Sequence, residues 1–190
     1  MEENRDNILA PAKGRLLISE PFLNDPHFKR TVILLCDHNE SGSFGFVLNN
    51  YINVNLSEVI EGLDYIKSKV SVGGPVQKDA VFYLHTFGEE VPGSIHISED
   101  IYMGGDFETI KAKVHNGEVR PEDLRFFIGY SGWAKDQLSY ELKEKSWIVS
   151  ESTSEQIMNT KYSNLWSQSL RSLGKEYALL ANFPSDPNYN

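Results

Sequence analysis

Only one cysteine, Cys36, occurs among the 190 residues. That excludes an intrachain disulfide and fits a reducing compartment. No apolar run reaches the roughly 20 residues that a bilayer-spanning helix needs. The opening Met1-Glu2-Glu3-Asn4-Arg5-Asp6 is acidic and polar, where a secretory leader would be basic and then apolar. Positive charge is also short: 18 Lys and Arg face 27 Asp and Glu, a formal charge of -9. The cations are scattered as Lys67/Lys69, Lys111/Lys113, Lys143/Lys145 and Arg171/Lys175, with no long basic run to offset repulsion from a phosphate backbone. The chain is therefore expected to be cytoplasmic, off the membrane, and without direct nucleic-acid contact.

Metal and cofactor signatures are lacking too. No two of His27, His38, His85, His96 and His115 lie four apart on a helix, and Cys36 has no second thiol. Cys36 and His38 would share one face of an ideal strand, so a pair is conceivable; a small buried Cys36 and a turn-capping His38 is the simpler reading. Gly73-Gly74-Pro75-Val76 could offer amides to an anion. It lacks the Lys and Ser/Thr of a phosphate loop, and Pro75 removes a donor, so a tight turn is the plainer role. Gly104-Gly105-Asp106 reads as a turn followed by a helix cap. No cofactor and no metal are expected.

What is present is enough for a core: 40% hydrophobic and 12% aromatic residues. One α+β domain over 1–190 is expected, with a loose arm at 1–13 and a tail at 184–190. Its organising stretch runs from Asn24 to Asn49. Thr31-Val32-Ile33-Leu34-Leu35-Cys36 is apolar without alternation, as in a strand buried on both faces. Asp37 to Gly42 supplies turn formers. The return strand carries Phe44, Phe46 and Leu48, with Gly45 thinning it for close backbone approach. Such a hairpin belongs in the middle of a sheet. Further strands are predicted at 15–19, 70–72, 80–85, 94–98, 124–129 and 147–149.

Helices are predicted after Asn55, after Asp106, over 137–145, after the capping box Thr153-Ser154-Glu155-Gln156, and through Leu165, Trp166, Leu170 and Leu173 up to Gly174. Glu141 and Lys145, four apart, would add about 0.3 kcal/mol on an exposed face.

Gly129-Tyr130-Ser131-Gly132-Trp133 is the sharpest chemical motif, placed between a predicted strand and a predicted helix like a nucleophile elbow. An elbow wants glycine two places after the serine, and Trp133 stands there. The last histidine, His115, also precedes the serine, against the α/β-hydrolase order. The alternative is a turn whose glycines take positive φ while Tyr130 and Trp133 pack on the sheet. Polar residues at predicted strand ends form a second candidate group: Asp25, Arg30, Asn49, Gln77, His85, Ser131 and Gln137. They could converge on one binding pocket with Trp133 as an aromatic wall, or each could satisfy local backbone groups.

The stretch from Gly14 to Asn49 resembles the start of the bacterial YqgE/AlgH family. Gly73-Gly74-Pro75-Val76-Gln77, Leu84-His85 and Arg125 to Trp133 with Gln137-Leu138 fit the same family, in the same order. The resemblance covers nearly the whole chain. It implies an α+β fold in which a bifurcated, largely antiparallel sheet curls into a pseudo-barrel with helices outside. Two departures stand out. The family's Asn-Arg-Pro is Asn49-Asn50-Tyr51 here, which weakens any anion-binding role for that corner, and its glycine before Gln-Leu is Asp136.

The function implied is thin, since the family is largely uncharacterised and "transcriptional regulator" descends from a branch named for alginate genes. The expected role is a non-enzymatic binding or regulatory protein with an unknown protein or small-molecule partner. The alternatives are a transcriptional regulator, acting directly or indirectly on DNA, and a hydrolase using Ser131 with His85 as base.

Overall fold

The computed structural model describes residues 9–54, 56–63 and 68–183. The Asn55 cap, the first eight residues of the arm, Lys67 and the 184–190 tail lie outside the described residues. Strands are β1 (Leu16–Ser19), β2 (Val32–Asn39), β3 (Gly42–Val47), β4 (Tyr51–Ile52), β5 (Val70–Val72), β6 (Val76–His85), β7 (Ile95–Ser98), β8 (Ile101–Met103), β9 (Leu124–Ala134) and β10 (Trp147–Ser150). Helices are α1 (Leu56–Val59), α2 (Phe107–His115), α3 (Gln137–Lys143), α4 (Ser154–Met158), α5 (Leu165–Ser172) and α6 (Lys175–Leu180).

The class is α+β, and the sheet is largely antiparallel. Its order is β10-β1-β2-β3-β9-β6-β8-β7, with β5 joined to β9 and β4 to β5. The apolar β2 sits between β1 and β3 as its unbroken hydrophobic run requires, and Val32 to Leu35 are wholly buried. Gly45 does what a thinned strand position should: an added Cβ would lie 2.1 Å from the Leu34 carbonyl oxygen.

β9 is the branching strand. Residues 131–134 pair with β3, whereas Phe126–Ile128 pair, in parallel, with β5 along the same edge. Gly129 marks the switch at φ +67, a left-handed backbone that suits glycine. The offset it introduces lets Phe127 and Tyr130, three apart, join one cluster, while Phe126 lies in a second and Trp133 in a third. The first cluster lies under α4–α6, where Ile157, Trp166 and Leu170 are buried against Leu34 and Phe46. By strand pairing the sheet is open, since β10, β7 and the branch strand β4 are its ends among the described residues. The implied pseudo-barrel is thus not a closed sheet.

Several expectations need correction. Gly129 to Trp133 is neither a turn nor an elbow; it continues β9 to Ala134 because Tyr130 and Trp133 gain cluster contacts on opposite faces. β6 starts at Val76, four residues before the predicted strand. β8 and α6 were not expected, and each is too short to show a period. Glu141 does not serve the surface pair with Lys145: α3 stops at Lys143, and Lys145 lies beyond it at φ 60. Instead Glu141 Oε2 accepts both the Trp133 indole N–H at 2.8 Å and the Trp147 indole N–H at 2.7 Å. Asp136, standing where the family has glycine, adopts φ 62. Aspartate tolerates that left-handed region better than most residues.

Candidate functional site

The seven strand-end residues and Trp133 do not share a pocket. Three lie at the approach to β2. Asp25 Oδ1 accepts from the backbone N–H of His27 and Phe28 at 2.8 and 3.1 Å. Asn49 clamps the next turn, with Val32 N–H donating to its Oδ1 at 2.9 Å and its Nδ2 donating to the Arg30 carbonyl at 2.8 Å. Arg30 sits at φ 55 with its guanidinium 4.7 Å from the Trp166 ring centre, and it donates to the Phe183 carbonyl. Asp25 and Asn49 thus satisfy backbone groups at the approach to β2. Arg30 instead reaches across to Trp166 and Phe183, and its buried Nε has no hydrogen-bond partner among the described residues.

His85 lies at the other end of β6 and is buried. Phe87 N–H donates to its Nδ1 at 3.3 Å, so its Nε2 donates to the Gly104 carbonyl at 3.0 Å. Burial lowers its pKa below 6.5, with the Gly104 bond working in the opposite direction. Both ring nitrogens are engaged.

Ser131 is also buried, and its hydroxyl donates to the Gly73 carbonyl at 3.0 Å. His85 pairs with Leu124 of β9, seven residues from Ser131, so a rise of 3.3 Å per residue puts them about 20 Å apart. They cannot form a nucleophile and its base. One Ser–His contact does occur, between His38 Nδ1 and Ser43 Oγ at 2.7 Å. It joins residues directly opposite across the β2–β3 ladder, an ordinary cross-strand pair.

Trp133 and Gln137 belong to the Glu141 corner. Gln137 Nε2 donates to Glu141 Oε1 at 3.0 Å, and its Oε1 accepts from Ala134 N–H at 3.0 Å. Phe28 and Trp147 complete this corner around the buried Trp133 ring.

Only Gln77 and Trp133 of the predicted set line an open trough of about 620 Å³ across the ends of β2, β3, β9 and β6. Its walls are Phe44, Phe82 and Tyr130, with Asp37 and Asn39 on the rim. Tyr130 stands edge-on to Phe44 at 5.9 Å and to Phe82 at 5.7 Å between ring centres. Phe46 links this group to the core through Phe82 at 5.5 Å and through Phe127, stacked at 4.6 Å. The groove is therefore the partly exposed end of the same aromatic cluster that α4–α6 cover elsewhere.

Sequence reasoning missed Phe44, Phe82, Tyr130, Asp37 and Gly132 as site residues. The sequence places Phe44 and Phe46 on the return strand, but the Gly129 offset that brings Tyr130 beside them has no periodic signature. A second recess of about 380 Å³ is lined by Thr86, Arg120, Asp123, Ser154 and Met158 among others. Within it Asp123 accepts from Arg120 at 2.7 and 3.0 Å and from Thr86 at 3.1 Å. Burial pushes the Asp123 pKa up, but these bonds outweigh it and hold the carboxyl below its ordinary value. The recess is knit together internally.

The sequence profile of the AlgH-like family matches residues 16–178. The chain belongs to that family. A UPF0301 protein of Cytophaga hutchinsonii is 42% identical, over 94% of this chain and 98% of its own length. One from Chlorobaculum tepidum is also 42% identical, over 98% and 99%. Among solved structures, the AlgH protein of Pseudomonas aeruginosa matches with TM-score 0.71 at 28% identity, covering 93% of this chain and 97% of that one. Protein DIP2367 of Corynebacterium diphtheriae shares the fold with TM-score 0.77 at 23% identity, over 96% and 95%. No described helix of this AlgH-like chain is long and apolar enough to cross a membrane.

One further group in it is buried without a matching charge. Arg125 is wholly buried and donates to the carbonyls of Leu48 and Ile157, with Tyr51 Oη at 3.4 Å and Ser71 Oγ at 3.5 Å. Burial pulls its pKa down to about 10. Its bonds tie the end of β3 to the last turn of α4, where a cation suits the carbonyl end of a helix.

Proposed function

We propose that this AlgH-like chain is a non-enzymatic, cytosolic binding protein that holds a protein or small-molecule partner in the aromatic groove. The observation that carries this reading is the uncovered end of the first cluster. Phe44, Phe82 and Tyr130 remain partly exposed there and line the trough together, whereas Leu34, Phe46 and Phe127 of the same cluster are buried. Concave apolar sites rimmed by a few polar groups are the usual form of a binding site. Ser131 and His85, the residues a hydrolase would need, are each committed to backbone partners instead. A regulatory role fits best as an indirect one through a partner, given the charge of -9. A pseudo-barrel curl has support in the Lys13 ammonium donating to the His96 carbonyl of β7 at 3.0 Å.

The test is a fragment screen read by backbone amide shifts. Shifts concentrated at Gly42, Phe44, Gln77, Phe82 and Gly132 are the expected result. Shifts only around Ser154 and Arg120, or none, refute the reading. Hydrolysis of activated esters that disappears in Ser131→Ala would restore the hydrolase instead.

A further inference from the structure

We infer that the groove takes a basic, extended polypeptide segment of a partner protein, with Gly132 as the point of closest approach and Asp37 as the counter-charge; this rests on the binding reading above. Gly132 lies in β9 and is exposed, yet it is absent from the left-handed glycines that include Gly129. Its backbone therefore does not call for glycine, and a glycine inside a strand weakens it. Space is the remaining reason. A Cβ at Gly132 would approach the Tyr130 ring to 3.2 Å and Val76 Cγ2 to 4.0 Å. Without it, the Tyr130 ring lies beside Gly132, whose own backbone stays exposed at the trough. Bare strand floors are where another backbone can come close.

The chemistry of the rim selects the guest. Asp37 is the one charged residue among those lining the trough. His38 N–H at 2.9 Å and Asn39 Nδ2 at 2.8 Å donate to its two carboxylate oxygens and fix their direction. An ionised carboxylate has about four acceptor positions, so room remains for a guest cation. The aromatic walls add a surface that attracts lysine or arginine. Among the described residues, the Gln77 amide and the Tyr130 hydroxyl have no hydrogen-bond partner, so both are open to peptide groups. β6 departs from its register with β9 between Val76 and Val81, with Gln77 held at φ 48, so the rim carries backbone that the sheet does not use. An open trough covers a small molecule poorly and a laid-in segment well.

Fluorescein-labelled Ser-Lys-Phe-Arg-Ser and Ser-Glu-Phe-Glu-Ser peptides test this by anisotropy, with amide shifts to locate the site. The basic peptide is expected to bind and to shift Gly42 and Gly132, with affinity falling as salt rises. Asp37→Asn should weaken it about tenfold, equivalent to about 1.4 kcal/mol. Gly132→Val should abolish binding at an unchanged melting temperature. If that variant fails to fold, Gly132→Ala and the two peptide charges still decide the matter.

Equal binding of the acidic peptide, or no loss in Asp37→Asn, overturns the inference while leaving a groove-binding protein. A concentration-dependent dimer that occludes the same amides also overturns it, in favour of a second copy. Failure of every fragment and both peptides at the groove removes both readings together.

Discussion

Replacing Glu141 tests how the Trp133 corner is held. Its Oε2 accepts two indole N–H groups, at 2.8 and 2.7 Å, from rings that are 5% and 4% exposed. Glu141→Leu keeps the volume and removes both acceptors, orphaning two buried donors at about 1–3 kcal/mol each. The expected loss is about 2–6 kcal/mol, which lowers Tm by about 4–24 °C at about 2–4 °C per kcal/mol in a chain of this size. Glu141→Gln keeps one carbonyl oxygen able to take both donors, but it loses the charge that roughly doubles such bonds. Its loss should be smaller, about 1–2 kcal/mol. Thermal and urea melts followed by near-ultraviolet circular dichroism read both variants, since Trp133 and Trp147 report the corner directly. In a double-mutant cycle, Trp133→Phe should cost markedly less in the Glu141→Leu background. If Glu141→Leu stays within about 0.5 kcal/mol of the parent, Glu141 is no more than a surface carboxylate; if Gln costs as much as Leu, the charge and not the acceptor oxygen holds the two indoles.

Two further outcomes are expected. His85 is neutral in the fold and its pKa lies below 6.5, so the unfolded chain takes up a proton first as pH falls. The stability that neutral His85 provides is complete above 6.5 and declines as pH drops through the lowered folded value. Urea midpoints between about pH 7.5 and about pH 5 should therefore fall more steeply in the parent than in His85→Gln; parallel slopes would contradict the buried neutral imidazole. Cys36 is 1% exposed, and burial raises its thiol pKa far above the ordinary range, with Asp37 adding to the effect. A thiol reagent should stay silent on the native protein and react only as urea unfolds it. Rapid labelling of the native chain would show that β2 opens locally.

Much of the architecture was legible in the order of residues. The unbroken apolar run of β2 suits a strand covered on both faces, and Val32 to Leu35 are buried in one. Thr153 and Gln156 form the capping box that their spacing predicted, and Asp106 caps α2 through Thr109. Gly174 ends α5, and Gly45 clears the Leu34 carbonyl. Each of these is a local rule acting within a few residues, or across one tight ladder. That is why composition and period alone reached them, and why the family motifs could be placed along nearly the whole chain.

What the tertiary structure decided is where distant segments meet. Ser131 looked reactive because of its neighbours in sequence, yet its hydroxyl is committed to Gly73, 58 positions away. Glu141 looked like half of a helix-surface pair until β9 and β10 brought two indoles to it. The groove depends on Gly129 shifting β9 so that Tyr130 stands beside Phe44 and Phe82, three residues from three strands. Periodicity describes one strand at a time. A surface shared by three strands exists only once their pairing and offset are settled, because the side-chain faces that meet are set by register and not by chain order.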